Sequence, residues 1–462
     1  MSSISEGLAK FVVETRFDDL PEEVIQEAKR SLLDSIGCAI AGVTTDKGKI
    51  AVTVAKRLGG PQESSIIGVG GRVSCSNAAF ANGELVNGLD YDAVPHIPPI
   101  TVPPSLAIAE SVKASGKDLI LATVLAQEIA RRFSLALSNM MAKLTEEAKT
   151  PDAFGNSNEF IFGATSGVGK ILNLGPNEMA QALGIAAYLC SLPVCRDWED
   201  AMPKSMIKYV PVGWICQTSI TAALLAEQGY TGNPGVFDGK YGFWRFYGAE
   251  RWTPEVVMDK LGEKWFFTET HYKPYPCCRF FHSQLDCFIS IIEKNSLLPN
   301  DIESVKSFGF PFVANPAPMD VKTQVDVQFS LPFVFAVAAH RIKVGPDWQD
   351  WNTIRNPKIH EFMKKVSMHV DPASMEAKRK DPRSWLARVE VTANGKTYVE
   401  KRMYAKGTSF TDSKATNEDL VEKFRDNAST LLTQNKIDKA VQCLLELEKL
   451  DDITELMNHI TL

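Results

Sequence analysis

Apolar residues recur at helical spacing through most of the first 265 residues. In "DDLPEEVIQEAKRSLLDSIGCAIAG" (18–42), Val24, Ile25, Ala28, Leu32, Ile36 and Ala39 fall on one face. That spacing predicts a helix starting at Asp19, with Pro21 in its first turn and Gly42 as its stop. Further helices are predicted near 75–88, 104–115, 118–138, 161–173, 177–190 and 212–228. Several are small and apolar all round ("ATSGVG", "LGIAAYLC", "SITAALLA"), as suits helices inside a bundle.

The pattern changes after about residue 266. "SVKSFGFPFV" (304–313) predicts a strand. "ARVEVTANGKTYVEKRMY" (387–404) is two alternating runs joined by Asn394-Gly395, a hairpin signal. Helices are predicted between them, in "LPFVFAVAAHRI" and "NPKIHEFMKKV". From about 414 the chain is helical again, in "NEDLVEKFRDNASTLL" and "KIDKAVQCLLELEKL". The expectation is a mainly α fold. A large all-helical domain is built from both chain ends (1–266 and 410–462), and a smaller α+β domain covers 267–409.

Composition narrows the function. At 462 residues the chain can bury two cores. Its 45% apolar and 23% charged content is ordinary. A net charge of −6 argues against nucleic acid as the main partner. No apolar run is long enough to span a bilayer. The start "MSSISEGLAKFVVETRFDDL" has no basic stretch followed by an apolar one, so a cytoplasmic protein is expected. Nine cysteines, an odd number with no CxxC, fit neither a disulfide framework nor zinc or iron–sulfur spacing. No phosphate loop, dinucleotide fingerprint, GxSxG or HExxH occurs.

Three segments could carry chemistry. In "LDYDAVPHIPP" (89–99), Asp90 and Asp92 precede His96 in a proline-stiffened loop. A histidine beside carboxylates can move protons near neutral pH; equally, the loop could simply tie two helices together. In "MIKYVPVGWICQTS" (206–219), Lys208 stands ahead of an apolar helix. It could meet a substrate carboxylate or lie along the surface. "HYKPYPCCRFFHSQLD" (271–286) concentrates Lys273, Tyr275, Arg279 and His282 around Cys277 and Cys278. Cations and a phenol in a stiff loop suit a di- or tricarboxylate. The cysteines read as buried hydrophobes, or as nucleophiles if a cation lowers their pKa.

Together, "RSLLDSIGCAIAG", "SNAAFANGELVNGLDYD", "HIPPITVPPSLAIAE", "KILNLGPNEMAQALGIA", "KPYPCCRFFHSQLD" and "VQFSLPFVFAVA" resemble the MmgE/PrpD family. Its members include 2-methylcitrate dehydratase, cis-aconitate decarboxylase and an iminodisuccinate epimerase. The resemblance implies a homodimer with its active site between the domains, and it makes the smaller α+β domain (267–409) a lid. It implies no organic cofactor; from the spacing of Cys277 and Cys278 with His271 and His282, no metal is expected. It also implies proton movement at a carbon beside a carboxylate.

In the decarboxylase the pocket uses an aspartate, a threonine, two histidines and two lysines. Asp90, His96, Lys208 and Lys273 match four of these. Val94 stands at the threonine position and Phe154 at the second histidine. Losing a hydrogen bond to a charged group removes about 1.5–3 kcal/mol, so a less charged or alkyl-bearing carboxylic acid is the expected substrate. The resulting expectation is a cofactor-independent lyase, a dehydratase more than a decarboxylase. His96 is the acid/base oriented by Asp90, and Lys208 and Lys273 bind carboxylate. Tyr275, Arg279, Cys278, Asp92, Val94 and Phe154 line the site, with Trp198 and Trp244 as further wall candidates. An isomerase on the same scaffold, and a non-catalytic ligand-binding scaffold, are the alternatives.

Overall fold

The helical stripe of 18–42 forms the helix Glu22–Gly42, starting at Glu22 rather than Asp19. Leu20, ahead of Pro21, is held extended at ψ 132°, as a residue before proline prefers. This computed structural model describes residues 3–137, 156–247, 252–314 and 320–462. The other predicted helices appear as Cys75–Val86, Pro98–Ser111, Gly116–Ala136, Phe160–Ile171, Pro176–Leu189 and Val212–Glu227.

Pro98–Ser111 starts earlier than residue 104 and runs through Pro103 and Pro104. Pro98 and Pro99 occupy first-turn positions that need no N–H. Deeper in the helix, Pro103 and Pro104 cannot donate to Pro99 O and Ile100 O. The Cys216 thiol, from the helix Val212–Glu227, points at those two carbonyls instead, at 3.3 and 3.5 Å. Small residues let these helices approach closely, which is why the all-apolar segments lie inside the bundle.

The smaller α+β unit holds a four-stranded sheet in the order Val366–Val370, Ile302–Gly309, Ala387–Ala393, Lys396–Arg402. The first pair is parallel and the other two antiparallel. The hairpin turns at Asn394-Gly395, both at positive φ. Along Ala387–Ala393 every second residue is buried, against the helix His282–Lys294. The strand Val366–Val370 was not predicted. The helical run at 356–366 ends at Met363, and the chain passes almost directly into the strand.

Two separate apolar cores result. One draws on residues from both chain ends, Ile4 through Tyr272 and again Leu420 through Ile460. The other lies between Tyr275 and Ala393. The helix Asn417–Ala428 of the C-terminal return packs on Glu22–Gly42, with Phe424 against Gly37. Gly116 meets the backbone of this C-terminal return: its N–H donates to Leu450 O at 2.8 Å, and a Cβ there would lie 1.6 Å from Leu447 O. Gly116→Ala is therefore expected to destabilise the fold by about 1–3 kcal/mol, read from its urea midpoint. Among the described residues, no helix is long and apolar enough to cross a membrane.

Candidate active site

The loop between Cys75–Val86 and Pro98–Ser111 is gripped from three directions. Gln328 donates to Gly88 O at 2.9 Å, and Gln349 to Leu89 O at 2.7 Å; both come from the smaller unit. Lys423, on the C-terminal return, donates to Tyr91 O at 2.7 Å, to Lys273 O at 3.0 Å and to Asp34 at 2.6 Å. Val94 and His271 exchange two backbone hydrogen bonds of 2.8 Å, and Val94-Pro95 is cis. Buried loop backbone needs such partners, and here they fix where the side chains point.

Asp90 has φ 54°, a left-handed conformation that aspartate tolerates better than most residues. It turns the carboxylate inward between two ammonium groups. Lys208 donates to Oδ1 at 2.7 Å and Lys273 to Oδ2 at 2.7 Å. Lys208 also holds Asn87 O at 3.2 Å, and Lys273 holds Asp90 O at 2.8 Å. All three side chains are buried to within about one per cent. Burial pushes the Asp90 carboxyl up, but Lys208, Lys273 and His96 outweigh it and hold it well below the usual range. Burial lowers Lys208, with Asp90 opposing and Lys47 assisting. Burial also works against the Lys273 ammonium, but Asp90 and Asp92 overcome it and raise Lys273.

Lys208 and Lys273 both pair with Asp90, and the carboxylate that meets His96 is not Asp90. It is Asp92: its Oδ2 lies 2.5 Å from His96 Nδ1. Asp92 is itself buried and accepts Asn87 Nδ2 at 3.3 Å through Oδ1. Burial raises Asp92, and the His96 charge and hydrogen bond bring it below the usual carboxylate range. The Nδ1 contact leaves His96 Nε2 as the free ring nitrogen. His96 is partly exposed and packs against Tyr209 at 5.2 Å between ring centroids. Asp90, Asp92 and His96 also put ligand atoms within 4.8 Å of one another, but two ammonium groups already neutralise Asp90.

His96 opens on a cavity of about 450 Å³ between the two cores. Val94, Pro95 and Cys278 line it with His96, while Tyr275, Asp92, Lys208, Lys273 and Trp244 do not. Tyr275 turns into the smaller core, donating to Asp286 at 2.9 Å and stacking on Trp348. His282 is also buried there, against Cys277 O. Burial pushes the Cys278 thiol up to about 12, which removes it as a thiolate. All nine cysteines are free. Phe154 lies outside the described residues. The apolar wall is aromatic: Phe160, Trp198, Tyr209, Phe280, Phe329 and Trp385.

The cavity also holds groups that the sequence did not single out. Arg131 and Arg383 join Arg279 on its lining. Arg279 donates to Lys406 O and Thr408 Oγ1, both at 2.7 Å. Burial pulls it down to about 10, so it stays charged at neutral pH. His271 sits among these arginines. Its Nδ1 accepts the Ser409 N–H at 3.2 Å, which puts its own proton on Nε2. Burial, then Arg279, Arg131 and Arg383, hold it down at about 3, so it is a neutral donor. Its place beside Val94 is set by the backbone bridge, a contact between segments far apart in sequence.

A histidine–carboxylate dyad facing a cavity with three guanidinium groups has the chemistry to hold an anion and move a proton beside it. The chain belongs to the MmgE/PrpD family: the MmgE/PrpD N-terminal domain matches residues 6–254 and the MmgE/PrpD C-terminal domain residues 275–447. A human cis-aconitate decarboxylase is 25% identical, covering 99% of this chain and 94% of the relative. The cis-aconitate decarboxylase of Aspergillus terreus is 23% identical, covering 99% and 95%. A cis-aconitate decarboxylase-like protein of Aspergillus oryzae is 24% identical, covering 98% and 96%.

Proposed function

We propose that the chain dehydrates an alkyl-bearing carboxylic acid, with His96 as the base and the arginines as the carboxylate clamp. Its family and curated relatives make it a lyase of the dehydratase or decarboxylase type acting on an organic acid. The observation that carries the finer reading is the pairing of the His96–Asp92 dyad with Arg131, Arg279 and Arg383 on one aromatic-walled cavity.

Removing a proton beside a carboxylate puts negative charge on the substrate as the C–H bond breaks. Guanidinium groups fixed near that carboxylate stabilise the charge as it forms. Asp92 keeps His96 Nε2 free to accept the proton and then balances the imidazolium. The aromatic wall favours an apolar substituent over a further carboxylate, since a buried charge without a partner is strongly disfavoured. The reading includes a homodimer, a cytoplasmic location, and a helical domain of 1–266 and 410–462 with a lid of 267–409. The two separate cores support that division.

The test is mass spectrometry of the purified chain with citrate, cis-aconitate and 2-alkylcitrates of increasing chain length. Loss of water, favoured by longer alkyl chains, is expected. Loss of carbon dioxide would make it a decarboxylase. Solvent deuterium in unchanged substrate would make it an isomerase, and no conversion of any acid a binding scaffold. With the substrate in hand, Arg131→Gln should raise KM by about tenfold or more with little change in kcat. Among the described residues the nearest carboxylate to Arg131 is Glu269, at 4.0 Å, a loose engagement of its charge.

A further inference from the structure

Elimination of water needs two proton carriers, and the dyad supplies one. The hydroxyl must leave protonated, because hydroxide is a poor leaving group. Among the cavity-lining residues the arginines hold their protons, Cys278 is a weakly acidic thiol, His271 is a neutral imidazole and Asp90 is held ionised by its lysines, which leaves the half-buried Glu199 and the buried Glu159.

Glu159 is different. It precedes the helix Phe160–Ile171 and lines the same cavity as His96. Its residue surface is only 5% exposed. Ser157, at φ 72°, turns the chain just ahead of it, and Asn158 anchors the turn through Ser191 Oγ at 2.6 Å. Its side-chain partner is a neutral one, the Tyr247 hydroxyl, which donates to Oε2. Among the described residues no cation pairs with it; its ionisable neighbours are Tyr247 and Cys190. A buried carboxyl without a counter-charge favours its neutral, proton-bearing form.

We infer that Glu159 is the second proton carrier of this site, the general acid that protonates the departing hydroxyl. The inference rests on the dehydratase reading above. His96 Nε2 takes the proton from the carbon beside the carboxylate, and the C–H electron pair becomes the C=C bond. The C–O bond breaks with its pair on oxygen, and the Glu159 proton completes the water that leaves. The protonated His96 and ionised Glu159 that remain are restored by one proton passing through solvent. Burial places the Glu159 carboxyl at about 7, against the lowering effect of the Tyr247 bond. It therefore keeps its proton up to about neutral pH and titrates where a general acid is most effective.

The experiment combines titration with two kinetic readouts on the full chain. Carbon NMR of glutamate-labelled protein should show Glu27 and Glu159 both titrating near neutrality, with the Glu159 signal absent in Glu159→Gln. With a 2-alkylcitrate as probe, Glu159→Gln should lower water loss by about 100-fold or more, while exchange of the substrate C–H with solvent deuterium survives. Tyr247→Phe removes a bond that favours the carboxylate. It should therefore raise the Glu159 pKa and move the alkaline limb of kcat to higher pH. That shift separates an acid role from a merely structural one. A Glu159 that titrates in the ordinary carboxylate range, or water loss undiminished in Glu159→Gln, overturns the inference. Elimination that survives in His96→Asn instead overturns His96 as the base, and loss of carbon dioxide rather than water from the parent overturns the dehydratase reading, whatever Glu159 does.

Discussion

Asp90→Asn is expected to destabilise the folded protein by about 3–5 kcal/mol at neutral pH. Asparagine has the same shape and accepts the left-handed backbone at φ 54°, so the change removes charge and little else. What remains is two ammonium groups, Lys208 and Lys273, buried without the carboxylate that each approaches at 2.7 Å. Removing one partner of a buried ionic group is far worse than never having the group, because the desolvation stays and the attraction goes. Asp90→Asn combined with Lys208→Met should therefore recover part of the loss, leaving one unpaired ammonium instead of two. Urea denaturation followed by circular dichroism measures both. An Asp90→Asn variant within about 1 kcal/mol of the parent would mean the lysines are not held by this carboxylate, since intact buried pairs lose several.

The pH dependence has a definite sign. Asp90 titrates well below the usual carboxylate range in the folded protein. Its contribution is therefore complete at neutral pH and persists down to the unfolded carboxyl value of about 3.9. It is lost as pH falls from there through the folded value. The stability gap between the parent and Asp90→Asn should be flat near neutrality and close only in acid.

The pattern of apolar positions was enough for the bundle, because helix periodicity and the Asn394-Gly395 turn are local signals. It was not enough for the start of Pro98–Ser111, where a thiol from another helix faces carbonyls left without their usual donors by Pro103 and Pro104. The strand Val366–Val370 was hidden for a similar reason: its pairing partner lies about sixty residues away.

The three chemistry-bearing segments do meet in space, but their internal pairing could not be read from spacing. Asp90 and Asp92 are two residues apart, and either could have faced His96. The positive φ at Asp90 decides it, and that conformation is held by two lysines distant in sequence. Tyr275 reads as a site residue by its neighbours, yet the turn sends it to Asp286. Arg131, Arg383 and Glu159 carry no motif at all, and His271 only opens the segment around Cys277 and Cys278. Each is an ordinary residue of a helix or loop until the fold gathers them on one cavity.

The dyad carries the largest expected loss of activity. His96→Asn should lower turnover by about 10²–10⁴-fold, and Asp92→Asn should approach the upper end of that range although it never touches substrate. The reason is the direction of one hydrogen bond. Asn87 Nδ2 donates to Asp92 Oδ1, so an amide at position 92 must present its carbonyl to Asn87. Its NH2 then faces His96 Nδ1, where the native carboxylate accepted a hydrogen bond at 2.5 Å. A donor opposite Nδ1 drives the imidazole proton to Nε2, the nitrogen that must be empty to act as a base. The variant keeps its histidine in place and loses the acceptor. Exchange of the substrate C–H with solvent deuterium should fall together with water loss in Asp92→Asn and His96→Asn. KM should stay near the parent value, because the arginine clamp is untouched. An Asp92→Asn enzyme within tenfold of the parent in both reactions would show that His96 does not depend on its carboxylate. The base would then have to be sought among the other groups lining the cavity.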